Sequence, residues 1–94
     1  MMVSIKEEVE VAKAAKAAIE ALLAATSKTA VLATIKDAYR AAVLNLSGGG
    51  VLNEARGKVG IALSNIMHRS PTKEKIDEAK SAIDVWIKEL ERSL

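Results

Sequence analysis

A chain of 94 residues has room for one domain and one hydrophobic core. Half of it is apolar and 28% is charged, which excludes a chain disordered by composition. Cysteine is absent, which excludes disulfide frameworks and thiolate metal centres, and a net charge of +2 is too small to argue for nucleic acid. No apolar run approaches the roughly 18 residues of a membrane span. The N-terminus reaches Lys6-Glu7-Glu8 before any signal-type run forms. The expectation is a soluble protein without a targeting segment, cytoplasmic or recombinant, with neither a membrane nor a nucleic acid as partner.

Four helices are legible, at about 5–25, 28–46, 51–69 and 71–93. In the first, Ser4-Ile5-Lys6-Glu7 fits a capping box, with Ser4 bonding the first-turn amides and Glu7 reaching back. Ile5, Val9, Ala12, Ala15, Ile19, Leu22 and Leu23 recur at three- and four-residue spacing and form one apolar stripe. Thr26-Ser27 breaks the pattern and can cap the second helix. That helix buries Val31, Leu32, Ile35, Tyr39, Ala42, Val43 and Leu46, and Ser47-Gly48-Gly49-Gly50 ends it through a left-handed glycine. The third helix turns Leu52, Ala55, Val59, Ala62, Leu63 and Ile66 inward. Ser70-Pro71 supplies an N-cap and a proline at the first position of the fourth. Ile76, Ala79, Ile83, Trp86, Ile87, Leu90 and Leu94 are its core face. Short connections favour antiparallel neighbours, so the predicted fold is all-α, an up-down-up-down four-helix bundle in a single domain. A three-helix bundle with one helix packed elsewhere is the alternative.

The charges are unevenly spread. Residues 28–69 hold eight: Lys28, Lys36, Asp37, Arg40, Glu54, Arg56, Lys58 and Arg69. The other 18 of the 26 fall outside this stretch, so helices 1 and 4 read as ordinary solvated helices. The fourth carries Glu74, Glu78, Lys80, Asp84 and Lys88 as a wet outer run. With six basic and two acidic residues, the central hairpin has a local charge of +4, which favours an acidic partner.

Successive side chains turn about 100° around a helix. Ala30, Ala33, Asp37, Ala41 and Leu44 then fall opposite the core stripe of the second helix. Gly57, Gly60, Ile61, Ser64 and His68 do the same on the third. This outer face is small, apolar and weakly charged. Isolated exposed apolar residues are ordinary, and alanine is simply a good helix former. Two glycines inside a helix cost about 1 kcal/mol each relative to alanine, which implies a close approach to the backbone. The competing expectation is that the helices are rotated, so that Gly57 and Gly60 face a neighbour within the bundle.

Catalytic and cofactor chemistry find weak support. Ser64 and His68 share a helix face with Asp37 nearby, yet no oxyanion hole or water-excluding pocket is apparent. A lone outward His68 is a poor haem ligand, and no metal-binding set of histidines and carboxylates is present. Gly48-Gly49-Gly50 lacks the lysine and hydroxyl of a phosphate loop. The reading is no enzyme, no cofactor and no metal.

Ser70-Pro71-Thr72-Lys73-Glu74-Lys75-Ile76-Asp77-Glu78-Ala79-Lys80, and the Ser4/Glu7 cap before an alanine-, lysine- and glutamate-rich helix, resemble computationally designed helical miniproteins. The resemblance is stylistic and covers helices 1 and 4, about half the chain. Thr29, Thr34, Asn45, Asn65, Met67 and His68 depart from it, in a way that resembles designed binders with a preset target-facing patch. The resemblance implies a protein-binding module, with a protein target of unidentified kind. The expected contact residues are Ala33, Asp37, Arg40, Ala41, Leu44, Gly57, Gly60, Ile61, Ser64 and His68. Self-association through the same patch, giving a homodimer, is the alternative, and a catalytic or cofactor-binding designed bundle is a more distant one.

Overall fold

The computed structural model describes residues 4–22, 28–46, 49–68 and 72–94. They form α1 (Ile5–Ala21), α2 (Lys28–Leu44), α3 (Val51–Met67) and α4 (Lys73–Arg92), with no strand among the described residues. Each helix packs on its neighbours in sequence, and α1 also packs on α4, which closes a ring of four. Cross-helix pairs set the directions. Lys13, Lys16 and Glu20 of α1 meet Glu91, Asp84 and Lys80 of α4, rising along one helix as they fall along the other. Arg56 and Gly60 of α3 lie against Asn45 and Val43 at the end of α2. Glu8 in the first turn of α1 bonds Asn45 just past the end of α2, so the order is up-down-up-down, the four-helix bundle that short connections favour, 37 × 21 × 20 Å in extent, and not a three-helix core.

The helix ends follow local chemistry, with several departures from the sequence reading. Ser4 caps α1: its Oγ accepts from the Glu7 amide at 3.2 Å, and its hydroxyl donates to Glu7 Oε1 at 3.2 Å. α1 stops at Ala21, earlier than expected, and Leu23 to Ser27 lie outside the described residues. α2 stops at Leu44, where the Leu46 amide tightens onto Val43 O; just beyond it the Asn45 carbonyl accepts from Arg56 Nη1 at 3.0 Å. Ser47 and Gly48 are outside the described residues; Gly50, with φ 107°, uses its conformational freedom to start α3 rather than to close α2. Thr72, not Ser70, caps α4, accepting from the Lys75 amide at 3.2 Å and supplying its carbonyl to Ile76. Ser70 and Pro71 lie outside the described residues.

The core is aliphatic and alanine-rich, as two aromatics require. Val9, Ala12, Ala15, Ile19 and Leu22 face Ile35, Ala38, Ala42, Ala55, Val59, Leu63, Ile66, Ile76, Ala79, Ile83, Trp86 and Leu90. Leu46 and Leu94, expected inside, are exposed, each lying beyond the last turn of its helix.

One cluster was invisible in the apolar pattern. Glu8, in the first turn of α1, is 0% exposed. Its Oε1 accepts from Asn45 Nδ2 at 2.8 Å and Arg56 Nη2 at 2.7 Å; its Oε2 accepts from Arg56 Nε at 2.8 Å and Trp86 Nε1 at 2.7 Å. The guanidinium meets the carboxylate as a two-pronged fork, the strongest neutralising geometry available to a buried acid. Four donors from three other segments converge on one carboxylate, so all four helices are tied at this level. A buried ion pair is costly to desolvate, and it is tolerated here because the carboxylate oxygens are fully engaged.

Candidate functional site

α2 carries two kinds of residue on its inner half. The small ones, Ala38, Ala41 and Ala42, with Asn45, are buried and allow close packing. Of the large ones, Ile35 is fully buried, while Leu32, Tyr39 and Val43 are half-buried along the seam with α3. The helix is thus rotated from the sequence estimate, in the direction that brings Asn45 to Glu8. Asn45, read as a binder-like surface residue, is 2% exposed and belongs to the core. Ala41, expected on the binding face, is 7% exposed and turned inward with it.

The glycines of α3 divide. Gly60 is buried, and a Cβ there would stand 3.3 Å from Val43 Cγ2, so its small size serves the α2/α3 contact inside the bundle. The close approach read from its small size is thus met inside the bundle by Val43, while Gly60 also lines a groove of the seam. Gly57 has open space where a Cβ would stand, and the rotated-helix alternative does not account for it.

The rest of the expected patch lies on the surface. Leu44 is 56% exposed and Ile61 is 69% exposed. Val43 packs against Gly60, so Leu44 and Ile61, one residue on in each of two antiparallel helices, lie within about one helical turn of each other along the bundle. Ala33, Asp37, Arg40 and His68 are exposed, and Ser64 is half-buried.

Two depressions run along the α2/α3 seam and share Tyr39. One, of about 400 Å³, is floored by Leu32, Tyr39 and Met67 and bordered by Lys36, Arg40 and His68. The other, of about 340 Å³, lies among Tyr39, Val43, Leu46, Gly57, Ile61 and Ser64, with Gly60 in its wall. The sequence reading missed Lys36 and Met67 and assigned Leu32 and Tyr39 wholly to the core. The available signal was the i, i+4, i+7, i+8 run of Leu32, Lys36, Tyr39 and Arg40, which straddles the apolar boundary.

The electrostatics also differ from the charge count. Arg56 is spent on Glu8 inside the protein, and the side chains of Lys28 and Arg69 lie outside the described ones. Lys36 and Arg40 have no ion-pair partner among the described residues. By contrast, the outer charges of α4 are not merely wet. Asp84 binds Lys16 at 2.7 Å and Lys80 faces Glu20 at 3.9 Å. The Asp84 hydrogen bond, then its charge, raise the pKa of Lys16 above its ordinary 10.5.

Ser64 and His68 meet through the backbone, His68 N–H donating to Ser64 O at 3.1 Å; no side-chain bond joins them to each other or to Asp37 among the described residues. No group of three histidine, aspartate or glutamate side chains able to hold a metal ion occurs among the described residues. No described helix is long and apolar enough to cross a membrane. No family model, curated protein or solved structure matches the chain.

Proposed function

We propose that this chain is a protein-binding module of designed origin, engaging a target protein through the outer faces of α2 and α3. The observation that carries the reading is that Leu44 of α2 and Ile61 of α3 are both more than half exposed, with Ile61 lining an apolar groove of the α2/α3 seam. Scattered exposed aliphatics need no partner; Ile61 beside a groove with open space at Gly57, with Leu44 exposed on the neighbouring helix, gains by being covered. Ala33 and Gly57 permit close approach, while Asp37, Arg40, Ser64 and His68 border the apolar centre with polar groups. The side-chain caps at Ser4 and Thr72 fit the design-like style of the sequence, and a pre-formed bundle reduces the ordering cost of binding.

The test is capture of proteins by the folded chain and by a Leu44→Glu/Ile61→Glu variant of equal helicity. A target lost by the variant supports the face. Capture that survives both substitutions puts the site elsewhere. Exposed Leu46 and Val51 extend the apolar surface near one end of the bundle, which favours self-association through a two-fold axis as the second reading. Light scattering at high micromolar concentration separates the two: a monomer removes the homodimer.

A further inference from the structure

Resting on that reading, we infer that the partner segment is an amphipathic helix with carboxylates at one end, lying along the α2/α3 seam over Lys36 and Arg40. The two depressions lie one on each side of Tyr39, which lines both, and follow α2 from Leu32 to Leu46. At 1.5 Å per residue that is about 20 Å, the length of a helix of about four turns. Grooves between two helices accept a third through apolar residues at i, i+3 or i+4, and i+7.

The ends of the seam are chemically unlike. At one, Leu32, Tyr39 and Met67 form an apolar floor beneath two exposed cations without ion-pair partners and the His68 ring. At the other, Val43, Leu46, Gly57 and Ile61 present no charge. An apolar anchor in the first depression places its flanking residues beside Lys36 and Arg40. Carboxylates there gain two hydrogen-bonded charge contacts, while lysines meet like charge. A second copy of this chain docking seam to seam brings its own cations to the same groove, so it is the poorer occupant.

The probes are three synthetic helical peptides with identical leucine anchors, bearing glutamate, glutamine or lysine at one end. Binding is read by fluorescence anisotropy at low salt, and the site by amide shifts in the labelled protein. The glutamate peptide binds about tenfold more tightly than the glutamine peptide, and the lysine peptide most weakly, as two rim charges allow. Shifts fall at Tyr39, Met67 and His68. In Lys36→Glu/Arg40→Glu the order inverts, and in Lys36→Gln/Arg40→Gln the three converge. Both positions are exposed and unpaired, so both variants fold, which circular dichroism verifies. Equal binding of the glutamate and glutamine peptides, an order that survives charge reversal, shifts on α1 and α4, or no binding by any peptide overturns the inference. If the inference fails while Leu44→Glu/Ile61→Glu still abolishes capture of a target, the binding face stands and only the partner's chemistry is wrong. If capture is also indifferent to those substitutions, the face itself falls.

Discussion

The α1/α4 seam and the α2/α3 seam have the same antiparallel geometry and opposite surfaces. Across α1/α4, Lys13, Lys16 and Glu20 are answered by Glu91, Asp84 and Lys80, so the outer rim is closed by charges from within the chain. No ion pair crosses α2/α3 on its outer rim among the described residues. Large side chains half-fill that seam, and Ile61, more exposed than they are, lines its groove. A helix pair whose rim is complete has no unmet interaction to offer a partner. A pair whose rim is apolar, grooved and bordered by unpaired cations does. On the proposed function, the contrast gives the two halves of the molecule different tasks, scaffold and contact surface, within one fold.

Breaking the element common to both seams has the largest effect. Glu8→Gln is nearly isosteric, but it turns one acceptor oxygen into a donor while four donors still converge there. Leaving Arg56 without its buried counter-charge costs about 3–5 kcal/mol, a large share of a small domain's stability. Denaturant unfolding measures it; a midpoint unchanged from the parent would show that the network is incidental.

Next comes the contact surface alone. Leu44→Glu with Ile61→Glu weakens partner binding by about 2 kcal/mol or more if these are the anchors, and changes stability by about 0.5 kcal/mol or less, because both are already exposed. The same pair of measurements on an exposed residue of the scaffold half, Val85→Glu, leaves both quantities unchanged. Equal loss of binding from either half would erase the distinction.

The glycines sharpen the contrast within α3. Gly57→Ala has open space and stabilises the helix by about 1 kcal/mol. Gly60→Ala gains the same propensity but presses on Val43, so its thermal midpoint falls below that of Gly57→Ala. Identical shifts for the two would mean that the seam is loosely packed.

The smallest effect belongs to the closed rim. The folded state raises the pKa of Lys16 through Asp84, so this pair favours folding below the unfolded value near 10.5 and loses that contribution as pH climbs through the raised folded value. The stability difference between the parent and Lys16→Met is therefore small and constant at neutral pH and vanishes at strongly alkaline pH. It also shrinks with added salt, as an exposed pair should. A difference that grew with pH would contradict this sign.

Much of the fold was legible because apolar spacing is a local property. Ile19, Val59 and Ile83 each sit where their helix period puts them. Leu44 and Ile61 were legible for the same reason, as apolar residues out of phase. Ala41, Asn45 and Gly60 were misread because side-chain polarity and size do not report which neighbour a residue meets. Asn45 reads as a surface amide until Glu8 is placed beside it. Gly60 reads as an opening until Val43 fills it.

The sequence by itself determined the number of helices, most of their apolar faces and the poverty of charge in the central hairpin. Those follow from periodicity and composition, which each segment carries without its neighbours. Only the tertiary structure decided which charge is buried and which is free. Arg56 and Arg40 are alike in the chain, yet one ends in the core against Glu8 and the other at the edge of a groove. The partner of Arg56 lies 48 positions away in the sequence, and only packing four helices into one ring brings the two together.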